Sequence, residues 1–154
     1  MEKTLILFKP DAINRGVVGE IIARFENKGL KIVGTKMIGL DEAILDEHYS
    51  HLTDKPFFGN VKKFMMKAPV LAMIWEGNGA VSVVRIMAGP TAGPEALPGT
   101  IRGDYSMSKG HNIIHASDSV ESAKEEIARF FKPEEVFEYE KVDWDMVYEE
   151  DERA

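Results

Sequence analysis

Two unbroken apolar runs constrain this chain most: Leu5-Ile6-Leu7-Phe8, and Val70 to Trp75 within the segment Pro69 to Glu76. Runs this short are too brief for a membrane span, which needs roughly 20 apolar residues. They read as strands buried within a sheet, and Pro69–Glu76 as one covered on both faces. The segments between them carry helical spacing. Val17, Val18, Ile21, Ile22 and Phe25 recur on one helix face before Lys28-Gly29, and Leu30 to Leu40 returns as a second strand. Asp41 to Leu52 reads as a short helix with Asp41 as its N-cap, and Phe57, Phe58, Val61, Phe64 and Met65 mark another. After the turn Gly77-Asn78-Gly79, the residues Ala80, Val83, Val84 and Met87 share a face. Ile113-Ile114-His115 is a short strand, and Ser117-Asp118-Ser119 caps a helix with Ala123, Ile127, Phe130 and Phe131 inward. The order β-α-β-(αα)-β-α-β-α predicts an α/β (α+β) sandwich. It is of the ferredoxin-like, split βαβ type, with a four-stranded antiparallel sheet covered by helices.

Residues 88–111 interrupt this regularity with three prolines and five glycines. The stretch predicts a long irregular loop, and such loops in small domains are usually functional. Neither repeat nor linker divides the 154 residues, so residues 1–154 are expected to form one domain. The chain has no cysteine, which excludes a disulfide framework, a thiolate nucleophile and a Cys-based metal site. A formal net charge of −7 weighs against a nucleic-acid partner, since backbone binding needs a basic field. The opening Met1-Glu2-Lys3, followed by a short apolar stretch, is no secretory signal, and a cytoplasmic protein without a membrane partner is expected.

His115 is the strongest candidate for chemistry. It ends a strand and precedes a helix-capping run, where the partial positive charge of the helix start favours an anion. An ordinary imidazole, with a pKa near ~6.5, is largely neutral at neutral pH and can act as a nucleophile. Lys9 at a strand end, Arg85 on a helix and Arg102 in the loop add cations in otherwise apolar or Gly/Pro-rich surroundings. Cations for phosphoryl oxygens and an in-line nucleophile are what phosphoryl transfer requires. Gly77-Asn78-Gly79-Ala80-Val81-Ser82 fails as a dinucleotide fingerprint, because Ser82 stands where the third glycine belongs. His48 and His51, three apart, form an incomplete metal set, and His111 reads as a solvated loop residue.

The segment Asn112-Ile113-Ile114-His115-Ala116-Ser117-Asp118 resembles the N-x-x-H-[GA]-S-D signature of nucleoside diphosphate kinases. The resemblance extends over nearly the whole chain. It includes Lys9-Pro10-Asp11, Arg15-Gly16 with Val18 to Ile22, Glu47-His48-Tyr49, Pro56-Phe57-Phe58, Trp75-Glu76-Gly77, Pro98 to Asp104 and Trp144 to Glu149. It implies an enzyme that moves the terminal phosphate of ATP or another nucleoside triphosphate to a nucleoside diphosphate. The implied route is ping-pong, through a phosphohistidine at His115, with broad base tolerance. By the same resemblance Lys9, Tyr49, Arg85, Thr91, Arg102 and Asn112 hold phosphates and sugar. Phe57 stacks on the base beside Val61, and Ser117 and Glu126 orient the histidine. Mg²⁺ is implied as the cofactor, riding on the nucleotide phosphates with no dedicated protein cage.

The resemblance also implies a homo-oligomer, and the full loop 88–111 favours a hexamer over a tetramer. The C-terminal segment 141–154 is expected at subunit contacts, with the aromatics Trp144 and Tyr148 as anchors on a neighbour. Three positions depart from the family pattern. His111 stands where many members have arginine. Gly93-Pro94 places proline one residue late after Thr91. Ala116 replaces a commoner glycine, a change that strains the backbone only where φ is positive. A nucleotide-binding regulatory protein on the same fold is the competing reading, and the full set of candidate site residues favours the kinase.

Overall fold

Strict alternation along the central strands resolves the two apolar runs. In β1 (Glu2–Phe8), Leu5 and Leu7 pack on one side of the sheet and Ile6 and Phe8 on the other, all fully buried. In β3 (Val70–Gly77), Ala72 and Ile74 face the first side and Met73 and Trp75 the second. Each face carries its own core, so none of these eight positions tolerates a polar side chain cheaply. The computed structural model describes residues 1–153.

The sheet order is β2-β3-β1-β4, with β2 at Lys31–Ile38 and β4 at Ile114–Ala116, and every neighbouring pair is antiparallel. Strand β3 inserts between β1 and β2, which is the split βαβ arrangement expected from the element order. Helices α2 (Val18–Asn27) and α5 (Ala80–Ala88) cover one face through Ile21, Phe25, Ala80 and Val84. Helices α3 (Glu42–His48), α4 (Phe58–Met65) and α7 (Val120–Phe130) cover the other through Leu45, Phe58, Met65 and Phe130. Asp41 caps α3 by accepting from the Ile44 amide, and Ser119 caps α7 by accepting from Ser122.

Two local expectations change. Pro10 does not merely stop β1. It opens α1 (Pro10–Arg15), where its fixed φ suits the first helical position and its missing N–H costs nothing. Gly16, at φ 68, ends α1 in the left-handed region and separates it from α2. The stretch 88–111 is not wholly irregular: it contains α6 (Ile101–Tyr105), capped by the Thr100 hydroxyl and anchored by fully buried Ile101. The departure at Gly93-Pro94 also has a local reason. Gly93–Glu95 forms a turn of 3-10 helix opened by the proline, and a Cβ on Gly93 would lie 2.4 Å from the Ser106 carbonyl oxygen.

Trp144 and Tyr148 each hydrogen-bond within their own chain. The Trp144 indole N–H donates to the Gly29 carbonyl at 3.1 Å, and the Tyr148 hydroxyl accepts from the Asn78 amide at 3.2 Å. Both aromatics dock on their own chain. Ala154, the last residue of the expected segment 141–154, lies outside the described residues. No helix among the described residues is long and apolar enough to cross a membrane.

Candidate active site

Strand β4 brings His115 to the sheet opposite Leu7 of β1, beside the fully buried run Leu5 to Phe8. The chain enters β4 through Ile113 at φ 75, which among the described residues is the non-glycine with positive φ. A left-handed backbone costs a β-branched residue about 1–2 kcal/mol. Two hydrogen bonds hold it there. The Ile113 amide donates to Asp11 Oδ2 at 3.0 Å, and its carbonyl accepts from the Lys9 amide at 2.9 Å. Asp11 sits in the first turn of α1, so the Lys9-Pro10-Asp11 motif pins the bend that precedes the histidine. Ala116 lies in β4 without positive φ, so its replacement of glycine carries no backbone strain.

The histidine is oriented from behind. His115 Nε2 lies 2.9 Å from Glu126 Oε1 on α7, and the Ser117 hydroxyl donates to Glu126 Oε2 at 2.6 Å. Burial opposes ionisation of Glu126, but the hydrogen bonds from His115 and Ser117 prevail and hold its pKa below the ordinary carboxylate value. An ionised carboxylate only accepts, so the imidazole proton resides on Nε2. The lone pair of Nδ1 is thereby left free, and no hydrogen bond to Nδ1 is made among the described residues.

In front of the ring lies a cavity of about 770 Å³. Its lining includes His115, Glu126, Lys9, Tyr49, Phe57, Val61, Arg85, Thr91, Arg102 and Asn112, which are the residues singled out in the sequence except Ser117. Ser117 is fully buried behind Glu126. Lys9 Nζ donates to Asn112 Oδ1 at 2.7 Å, and the Asn112 amide donates to the Thr91 carbonyl at 2.9 Å. Burial, with the charge of Arg102 second, lowers the Lys9 ammonium to about 8.

Arg102 is 5 % exposed and ties the loop to β4. It donates to the carbonyls of Gly89 and Ile114 at 2.8 Å each and of Asn112 at 3.2 Å. Burial, then Arg85, lowers its pKa to about 10, so it stays charged at neutral pH. Burial, with Glu126 second, pushes the Tyr49 phenol above its ordinary value and keeps it a neutral donor.

The far end of the cavity is apolar. Phe57 is 50 % exposed, and Val61 and Phe64 follow it one and two turns along α4. His111 is an exposed loop residue, as expected, but its ring is not free of contacts. Its ring stacks on Phe64 with centroids 4.1 Å apart and planes at 19°, and both line the cavity.

The expected pairing of His48 with His51 dissolves. His48 ends α3, whereas His51 falls in the following 3-10 turn. His48 instead packs against His115, with ring centroids 4.6 Å apart. Burial, then the charge of His115, lowers its pKa to about 3, so it is neutral in the folded protein.

The nucleoside diphosphate kinase family model matches residues 2–136. The chain belongs to the nucleoside diphosphate kinase family. It is 53 % identical over 152 residues to a nucleoside diphosphate kinase of Parabacteroides distasonis, covering 99 % of each chain. It is 55 % identical to one of Pyrococcus furiosus, covering 94 % of this chain and 92 % of that one. Among solved structures, it resembles a halophilic nucleoside diphosphate kinase of Halobacterium salinarum in complex with CDP. The TM-score there is 0.94 and the identity 44 %, with 96 % of this chain and 99 % of that chain covered. The long, ordered match agrees with the motifs read from the sequence and with the antiparallel sheet order.

Proposed function

We propose that this chain transfers the terminal phosphate of a nucleoside triphosphate to a nucleoside diphosphate through a phosphohistidine at His115. The observation that carries the reading is the Nε2–H bond to Glu126, which turns the Nδ1 lone pair toward a cation-lined cavity. Nδ1 attacks the terminal phosphorus, and the bond to the bridging oxygen breaks, releasing a nucleoside diphosphate. Glu126 stabilises the positive charge that grows on the ring. Lys9, Arg85 and Arg102 offset negative charge on the phosphates, and the neutral Tyr49 hydroxyl donates to them. In the second half-reaction a terminal oxygen of another nucleoside diphosphate attacks the phosphorus, and the P–N bond breaks.

Thr91 and Asn112 hold Lys9 and the sugar side of the site, and Phe57 and Val61 receive the base. Stacking reads a π-face rather than base edges, so base tolerance follows. The Halobacterium relative, solved in complex with CDP, supports a nucleotide as the ligand class.

Mg²⁺ belongs to the nucleotide in this reading, where it neutralises phosphate charge. The His48, His115 and Glu126 group is nitrogen-rich, a poor donor set for an ion that prefers oxygen. Residues 1–154 act as one domain, with the 88–111 loop walling the site. A hexamer is the assembly we favour, with that loop and the 141–154 segment at subunit contacts. Exposed Leu97 and Met107 on the loop, and Val142 and Met146 on the segment, support this. We place the reaction in the cytoplasm, which cell fractionation tests.

The direct test is intact mass after incubation with ATP and Mg²⁺ without acceptor. One acid-labile phosphate is expected on the wild type, discharged by GDP to give GTP, and none on His115→Ala. Absence of phosphoenzyme in folded, nucleotide-binding protein would refute the reading in favour of a regulatory role. Light scattering gives the assembly, and a monomer or dimer mass would exclude the hexamer.

A further inference from the structure

Phosphoryl transfer as proposed above leaves His48 without a task, although its ring lies against the nucleophile. His48 is 6 % exposed, and its Nε2 atom is buried with no hydrogen-bond partner. One ligand atom each from His48, His115 and Glu126 come within 4.8 Å of one another. A tetrahedral ion with bonds of about 2.0–2.2 Å spaces its ligands at about 3.3–3.5 Å. The His115–Glu126 pair, at 2.9 Å, needs to open by only a few tenths of an ångström, and His48 needs to close by little more than one. The adjoining cavity gives an ion an entry path and room for a water as fourth ligand. The Ser117 hydroxyl, held on Glu126 Oε2, fixes the carboxylate from the second shell of atoms.

We propose that His48, His115 and Glu126 form a Zn²⁺ site that holds the nucleophile and stops phosphoryl transfer. Two imidazoles and a carboxylate select a borderline ion such as Zn²⁺ over Mg²⁺, so the site is distinct from the Mg²⁺–nucleotide position. Coordination through His115 Nε2 moves the ring proton to Nδ1, and the lone pair that attacks phosphorus is lost. His48 undergoes the same tautomeric change. Its Nδ1 accepts from Arg129 at 3.4 Å, which keeps the proton on Nε2 in the free protein. To coordinate, that proton transfers to Nδ1, and Arg129 yields this long contact while keeping its 2.8 Å bond to Glu47. The nearby charges of Arg129 and Lys9 oppose a cation, so the site fills only when free Zn²⁺ rises.

The inhibitory consequence rests on the phosphohistidine reading, but the binding does not, and the experiment separates them. Metal-free full-length protein is titrated with Zn²⁺ by calorimetry and with Co²⁺ by visible absorption, without nucleotide. One ion per chain is expected, with the intense Co²⁺ bands of a four-coordinate nitrogen-containing site. His48→Phe keeps a ring between Tyr49 and Phe130, and His48→Asn is a smaller alternative. Each is expected to weaken Zn²⁺ binding at least tenfold, and phosphoenzyme formation in these variants is expected to resist Zn²⁺. No ion bound to the folded wild type, or equal affinity in both folded variants, overturns the site. Failure of the metal-free wild type to form phosphoenzyme would count against the kinase reading and leave the binding result standing.

Discussion

Replacing Glu126 with glutamine removes a charge and keeps the shape of the site. The variant retains an oxygen able to accept from His115 Nε2, which lies 2.9 Å from the carboxylate. What it loses is the anion that faces the ring as Nδ1 attacks and positive charge accumulates. Unit charges about 4 Å apart interact by about 4 kcal/mol at an effective dielectric of about 20. With roughly half the charge developed at the transition state, the loss is about 2 kcal/mol, or about 30-fold in rate. That is a lower bound. A glutamine that turned its NH₂ toward His115 would also reverse the tautomer, a fault that costs about four orders of magnitude in a hydrolase triad. The assay is rapid-quench measurement of phosphoenzyme formation from ATP and Mg²⁺ without acceptor, on enzyme whose melting is also recorded. A rate within about threefold of wild type, in folded protein, would show that the ring needs no anion behind it. The role assigned to Glu126 would then be wrong.

Lys9 carries a pH signature. Its ammonium falls from 10.5 to about 8 in the folded protein, so between these values the unfolded chain binds the extra proton. Lys9 therefore opposes folding fully below pH 8, and the opposition fades as pH rises toward 10.5. The melting temperature of wild type minus that of Lys9→Met should rise from pH 7.5 to 10, and a flat difference contradicts the burial assigned to Lys9. Gly93→Ala pushes a Cβ to within 2.4 Å of the Ser106 carbonyl oxygen, while Gly110→Ala meets nothing within 4 Å. The first should cost about 1–3 kcal/mol in denaturant melts and raise KM for nucleotide, and the second should do neither. Tyr148→Phe leaves the Asn78 amide to solvent and should cost about 0.5–1.5 kcal/mol, with assembly mass unchanged. A drop in mass would place Tyr148 at a subunit contact after all.

Much of the fold was legible because its cues are local. The apolar runs of β1 and β3, the helical spacing in α2, α4 and α7, and the caps Asp41 and Ser119 each depend on residues a few positions apart. Pro10 misled because a proline after a strand reads as a stop, and only the following turn of α1 shows that it is a start. Helix α6 was hidden because glycine and proline outweigh a five-residue helix in any local window; tertiary burial of Ile101 and the Arg102 clamp hold it.

For the site, the family signature marked the residues, and folding decided their relations. Glu126 falls behind His115 because α7 packs across β1, beside the strand that carries His115. The stacking of exposed His111 on Phe64 is not legible, because nothing near His111 in sequence foretells that ring. The three-residue spacing of His48 and His51 suggests one helix face, although helix geometry ends between them. The bonds of Trp144 to Gly29 and of Tyr148 to Asn78 join positions too far apart in the chain for any local pattern to show.

By itself, the sequence determined the strands, most helices, the antiparallel two-faced sheet and the family signature that singles out His115, since each is written in short-range pattern or in a contiguous motif. The tertiary structure alone decided which nitrogen of His115 is free, what depresses Lys9, where His111 rests and what lies against His48. Those properties arise between groups distant along the chain, where burial and a partner's charge, rather than residue type, set the chemistry.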